Sequence, residues 1–126
     1  MTGPTDPAGD RFDVPPGFRA GVAPDQFDME VDESGALLVS GEVDVLTAPL
    51  LWERLEPLIG TTRGPLTVDL GGVRFLDSMG LGVLVRAHKR LSEQDRSLMI
   101  RSPGETARKL FALTGLDSVF AFSEES

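Results

Sequence analysis

The chain has 126 residues, 40% of them hydrophobic, which suits one domain with one core rather than two. Having no cysteine, it can form no disulfide, thiol nucleophile or thiolate-bound metal, and a single histidine leaves little material for a zinc centre. A formal net charge of −8 sets the surface against a phosphate backbone and so against nucleic acid as a partner.

Residues 1–24 hold most of the prolines, mixed with Gly, Asp and Thr, and show neither helical nor alternating periodicity. Too little apolar surface is present to offset ordering entropy, so this stretch reads as a mobile tail ahead of a domain spanning residues 25–126. The N-terminus lacks a basic start and an apolar signal core, and no apolar run approaches the roughly 18 residues of a membrane span. A soluble, cytoplasmic protein with no membrane insertion is expected.

"FDMEVDE" (Phe27 to Glu33) alternates apolar with polar residues, and after "SG" the segment "ALLVSGEVD" (Ala36 to Asp44) does so again, predicting a hairpin. In "VLTAPLLWERLEPLIG", Leu46, Leu50, Leu51, Leu55 and Leu58 recur at helical spacing, with Asp44 or Thr47 placed to cap the helix and Gly60 to close it. Pro49 fits the first turn, where its missing N–H costs little.

"PLTVDL" (Pro65 to Leu70) reads as a buried parallel strand, after which "GG" is expected to let the backbone turn before "VRFLD". A second helix is predicted from Ser78 to about Gln94, with Leu81, Leu84, Val85, His88 and Leu91 as its apolar stripe. "SLMIRS" (Ser97 to Ser102) gives another strand, "PGETARKLFALTGLD" a third helix from near Pro103, and "VFAF" a last short strand. The order β-β-α-β-α-β-α-β predicts an α/β domain: a mixed, mostly parallel sheet of four to five strands with helices packed on it.

Enzyme chemistry finds little support. Asp69 lies inside an apolar strand and Asp77 ends the next segment, so nothing in their spacing holds them across one substrate. "GLG" and "GG" match neither G-x-G-x-x-G nor G-x-x-x-x-G-K-[ST]. Ser78 as a nucleophile would need His88 as base, yet ten helical residues separate the two by about 15 Å along the axis. His88 reads as a partly buried helix residue, no cofactor is expected, and the chain is not expected to be an enzyme.

The "DS" pair at Asp77 and Ser78 could be ordinary helix capping. Three features point further. Asp77 already offers a capping oxygen, leaving Ser78 dispensable as a cap. Gly80 and Gly82 sit in the first turn, each costing up to about 1 kcal/mol against Ala, which predicts that something approaches this turn closely. Away from the core stripe lie Met79, Gly82, Val83 and Arg86, an apolar strip with one charge rather than a solvated face. A helix N-terminus also suits a phosphate, whose addition would bring about −1.5 to −2 charges onto this surface.

Taken together, "GEVDVLTAP" (Gly41 to Pro49), "VDLGGVRFLDSMGLGVLV" (Val68 to Val85) and "LTGLD" (Leu113 to Asp117) closely resemble the STAS domain of anti-sigma factor antagonists. The resemblance runs from about Phe27 to Phe122. It implies a partner-switching cycle: the unphosphorylated protein binds an anti-sigma factor serine kinase, and the sigma factor is freed. The kinase, with ATP and magnesium, then phosphorylates Ser78, and a metal-dependent serine phosphatase resets the switch. By the same resemblance Asp77 precedes the phosphoacceptor, and Asp44 with Thr47 borders the same surface. Met79 stands where the family often has a small Ser or Thr, which bears on which kinase fits. The competing readings are a phosphorylation-independent scaffold or subunit of a stress-signalling or lipid-transport complex and, with less in the sequence to favour it, a small enzyme or nucleotide-binding protein.

Overall fold

Burial at every second residue marks the central strands. The computed structural model describes residues 27–123, so the tail assigned to residues 1–24 lies outside the described residues. The strands are β1 (Asp28–Val31), β2 (Leu37–Val43), β3 (Leu66–Leu76), β4 (Leu98–Arg101) and β5 (Ala121–Ser123). They form one sheet in the order β1-β2-β3-β4-β5; the β1–β2 hairpin is antiparallel and every other pair parallel. Leu37, Val39 and Val43, Leu66, Val68 and Leu70, and Leu98 and Ile100 are buried, while Leu38, Ser40, Thr67, Asp69, Met99 and Arg101 between them are half-buried. The sheet therefore commits one face to the core and leaves the other partly open.

Three helices complete that core: α1 (Ala48–Thr61), α2 (Ser78–Ser92) and α3 (Glu105–Thr114). Leu51, Leu55 and Ile59 of α1, Leu81, Leu84, Ala87 and Leu91 of α2, and Ala107 and Phe111 of α3 join the strand residues in a single buried cluster. His88 is half-buried with its ring edge-on to Phe120 at 5.9 Å, and Phe111 meets Phe120 in the same way at 5.5 Å. The α1 C-terminus is tied down from outside its own sequence. Arg96 donates to the carbonyls of Ile59 at 2.7 Å and Gly64 at 2.8 Å, and to Thr62 Oγ1 at 2.7 Å, satisfying acceptors at and just beyond the helix end.

Several boundaries differ from the sequence reading. No turn forms at Gly71 and Gly72: β3 runs through both, and its pairing with β2 slips between Leu38 and Ser40 and again between Gly41 and Glu42. A bulged register replaces the turn because β2 presses on the strand there, where a Cβ on Gly72 would lie 2.8 Å from that of Ser40. Helix α1 is not closed by Gly60 but continues to Thr61, and Leu46 and Leu50, expected on its apolar stripe, are exposed. Helix α2 stops at Ser92 rather than Gln94. Helix α3 starts at Glu105, after Pro103 and Gly104, and ends on Gly115, whose φ of 79° takes the left-handed turn.

On the open face of the sheet, Arg101 bridges two carboxylates, with Nε 2.6 Å from Asp69 and Nη2 3.1 Å from Asp32 in the β1–β2 turn. Hydrogen bonds from Ser34, then from the Ala36 amide and Arg101, hold the Asp32 carboxyl well below the usual carboxylate range. Asp69, considered above for acid/base work, is thus engaged in tying β3 to β4 and to the hairpin turn.

Candidate functional site: two adjoining strand-to-helix junctions

Strands β2 and β3 are parallel neighbours, so both end at the same edge of the sheet, and each leads into a helix there. Leu76 pairs with Val43, and the Asp77 amide donates to the Val43 carbonyl at 3.2 Å, which locks the junctions side by side. Asp44 and Thr47 belong to the first, Asp77 and Ser78 to the second. The C-terminal edge of parallel strands is where open α/β sheets commonly place their functional groups.

At the first junction both side chains have structural tasks. Asp44 Oδ1 accepts from the amides of Leu46 and Thr47 at 3.0 and 3.1 Å. Thr47 Oγ1 accepts from the Asp44 amide at 2.9 Å and donates to the Glu42 carbonyl at 2.8 Å. This reciprocal bonding resembles a capping box. Thr47 flanks α1 as its N-cap residue, but its hydroxyl faces back toward β2 and makes no bond to a helix amide.

The second junction divides the work differently. Asp77 is the N-cap of α2, its Oδ1 accepting from the amides of Met79 at 2.9 Å and Gly80 at 3.2 Å, while its carbonyl accepts from Leu81 at 2.9 Å. Ser78 is exposed, and its hydroxyl makes no side-chain hydrogen bond within the described residues. The cap is Asp77, and the Ser78 hydroxyl has no part in holding the helix.

Around Ser78 the first turn of α2 is open on one side and closed on the other. Met79 is 50% exposed, Gly82 is exposed with open space where a Cβ would stand, and Val83 is half-buried against the core. Gly80 corrects the sequence reading. It is buried, and a Cβ there would come within 2.6 Å of both Leu76 Cδ1 and Val43 Cγ1. The close approach predicted for this glycine is made by the protein's own strands, so Gly80 is not on the surface offered to a partner. Arg86 also has an internal role, its guanidinium lying 4.1 Å from the centroid of the Trp52 ring on α1. Arg90 lies over the same ring at 5.3 Å.

More apolar surface stands at this edge than the α2 strip suggested. Val45 and Leu46 in the turn before α1, Leu50 in its first turn, and Phe75 near the end of β3 are all exposed. Helical spacing places Leu46 on the α1 stripe, and the sequence reading does not single out Phe75. Parity along β3 carried the signal for Phe75: Leu66, Val68, Leu70 and Leu76 are buried, which turns residue 75 to the other face. Among the described residues no group of three or more metal-ligating side chains occurs, and no helix is long and apolar enough to cross a membrane.

Known proteins repeat this arrangement of sequence and fold. A family model described as "Mlab, STAS domain" matches residues 28–121. An anti-sigma-B factor antagonist of Bacillus subtilis (strain 168) is 38% identical over 88 residues, covering 70% of this chain and 80% of that protein. Its counterpart in Staphylococcus epidermidis is 36% identical over 93 residues, 74% of this chain and 86% of the relative. The crystal structure of an anti-sigma factor antagonist from Mycobacterium paratuberculosis superposes with a TM-score of 0.70 at 32% identity, covering 82% of this chain and 90% of that one. By these matches the chain belongs to the STAS-domain family of anti-sigma factor antagonists.

Proposed function

We propose that the protein works by partner switching in the cytoplasm, with Ser78 as the switch. Unphosphorylated, it binds an anti-sigma factor serine kinase through Met79, Gly82, Val83 and Arg86 and the neighbouring Asp44–Thr47 junction, and the sigma factor is released. The kinase, supplied with ATP and magnesium, then transfers a phosphoryl group. Ser78 Oγ bonds to the γ-phosphorus, ADP leaves, and the hydroxyl proton passes to the kinase or to water. A metal-dependent serine phosphatase restores the hydroxyl. Leu46 and Phe75 extend the contact surface, and each offers an apolar side chain for a partner to cover.

The observation that carries this reading is the idle Ser78 hydroxyl: exposed, in the first turn of a helix, and relieved of capping by Asp77. A dianion added there repels and must be desolvated by anything pressed against Met79, and the hydrophobic cluster beneath does not have to repack. The test is to incubate wild type and Ser78→Ala with ATP, magnesium and extract of the native cell, then read intact mass and map phosphopeptides. One added phosphate at Ser78, absent from the variant, is the expected result. Its absence, in extract that modifies other proteins, would turn the assignment to a phosphorylation-independent scaffold.

A further inference from the structure

An anion arriving at the start of a helix ordinarily draws in the free amides of the first turn. Here two of those amides are already taken, and in this turn only the amide of Ser78 itself stands without an acceptor among the described residues. Met79 and Gly80 N–H both point at Asp77 Oδ1, and Leu81 N–H at the Asp77 carbonyl. A phosphate on Ser78 therefore meets a helix end whose Met79 and Gly80 donors are held by a carboxylate of its own charge sign, fixed in the adjoining residue. Nor does the helix offer a cation nearby: Arg86 is eight residues on, about 12 Å along the axis, and lies over Trp52.

We propose that Asp77 is a positioning residue for the switch, keeping the Met79 and Gly80 donors from the phosphate so that phosphorylated Ser78 is turned outward, beside Met79, Gly82 and Val83. This rests on the assignment of Ser78 as phosphoacceptor and adds what becomes of the charge once it is there. The modification is displayed by the chain rather than absorbed by it. A serine whose phosphate capped its own helix would bury part of the signal in local hydrogen bonds; Asp77 prevents that and adds a like charge beside it.

The test uses full-length protein with phosphoserine installed at position 78 by genetic encoding, so it needs no kinase and stands apart from whether a kinase acts there. Asp77→Ala is the informative variant, because it releases the Met79 and Gly80 amides at a cost of about 1 kcal/mol of capping, and Asp77→Asn, which caps as well as Asp, is the control that removes the charge but keeps those amides held. In wild type, phosphorylation should leave the Met79 and Gly80 amide proton shifts nearly unchanged. In Asp77→Ala both should move downfield as the phosphate draws them in, and the second phosphate pKa, read by phosphorus NMR, should fall by about half a unit or more relative to wild type, while in Asp77→Asn the two amides should stay as in wild type. Glu42 and Asp44 at the β2 end, Arg74 on β3, Arg86 on α2 and Glu105 on α3 are charged groups of the neighbouring elements, and they are common to wild type and variants. Equal phosphate pKa values in wild type and Asp77→Ala, or downfield movement of the two amides already in wild type, would overturn the proposal.

Discussion

The two junctions use the same chemistry, a carboxylate and a hydroxyl at a helix start, and put the hydroxyl to opposite uses. Thr47 Oγ1 accepts from one backbone group and donates to another, stitching α1 to the end of β2. Ser78 Oγ, at the equivalent edge of β3, stitches nothing, because Asp77 alone satisfies the Met79 and Gly80 amides. Residue type does not separate a structural hydroxyl from an idle one; the presence of another group already doing the capping does.

The same division runs through the glycines of α2, where it gives the largest expected effect. Gly80→Ala should destabilise the domain by about 1–3 kcal/mol, because its methyl meets Val43 and Leu76 with no room to move; a denaturant midpoint unchanged from wild type would break the contrast. Thr47→Val comes next. Loss of both hydroxyl bonds should cost about 1–2 kcal/mol in chemical denaturation, with phosphorylation of Ser78 still possible in the folded fraction.

Gly82→Ala should move the other way, stabilising by up to about 1 kcal/mol because a helix gains a better former in open space. Partner affinity, measured by calorimetry, should weaken if that space is where the partner packs. At the open sheet face, Asp32→Asn should lower stability at neutral pH by a margin that narrows in acid. The folded carboxyl titrates below its ordinary value, so its contribution is complete above about pH 4 and is lost as the pH falls toward the depressed folded value. Thermal melts of both proteins across pH 2–7, about the acid range of carboxylates, check the sign; a widening gap would refute it. The smallest effect belongs to Ser78→Ala, expected within about 0.5 kcal/mol of wild type because the residue holds no cap. A loss as large as that of Thr47→Val would make Ser78 a second Thr47 and remove the distinction between the junctions.

The order of elements was legible in the sequence because alternation and helical spacing are local properties, and the core residues Leu51, Leu55, Leu81, Leu84 and Leu91 lay on the predicted stripes. The "GEVDVLTAP" and "FLDSMGLGVLV" stretches likewise marked both junctions. Leu46 escaped because helical spacing cannot show where the first turn begins, and the turn starts two residues later at Ala48. Gly71 and Gly72 escaped because a glycine pair serves a turn and a bulge equally well, and only contact with β2 selects between them.

By itself the sequence determined the class of fold, the two helix starts at one sheet edge, and the placing of a hydroxyl and an acid at each, since these follow from residue type and spacing along a single chain. Tertiary structure decided which hydroxyl was free, which glycine met the protein's own strands and which met solvent, and that Phe75 faced outward while Arg86 lay on Trp52. Those outcomes depend on what a neighbouring strand or helix brings within hydrogen-bonding or van der Waals distance, and local residue patterns do not specify those partners.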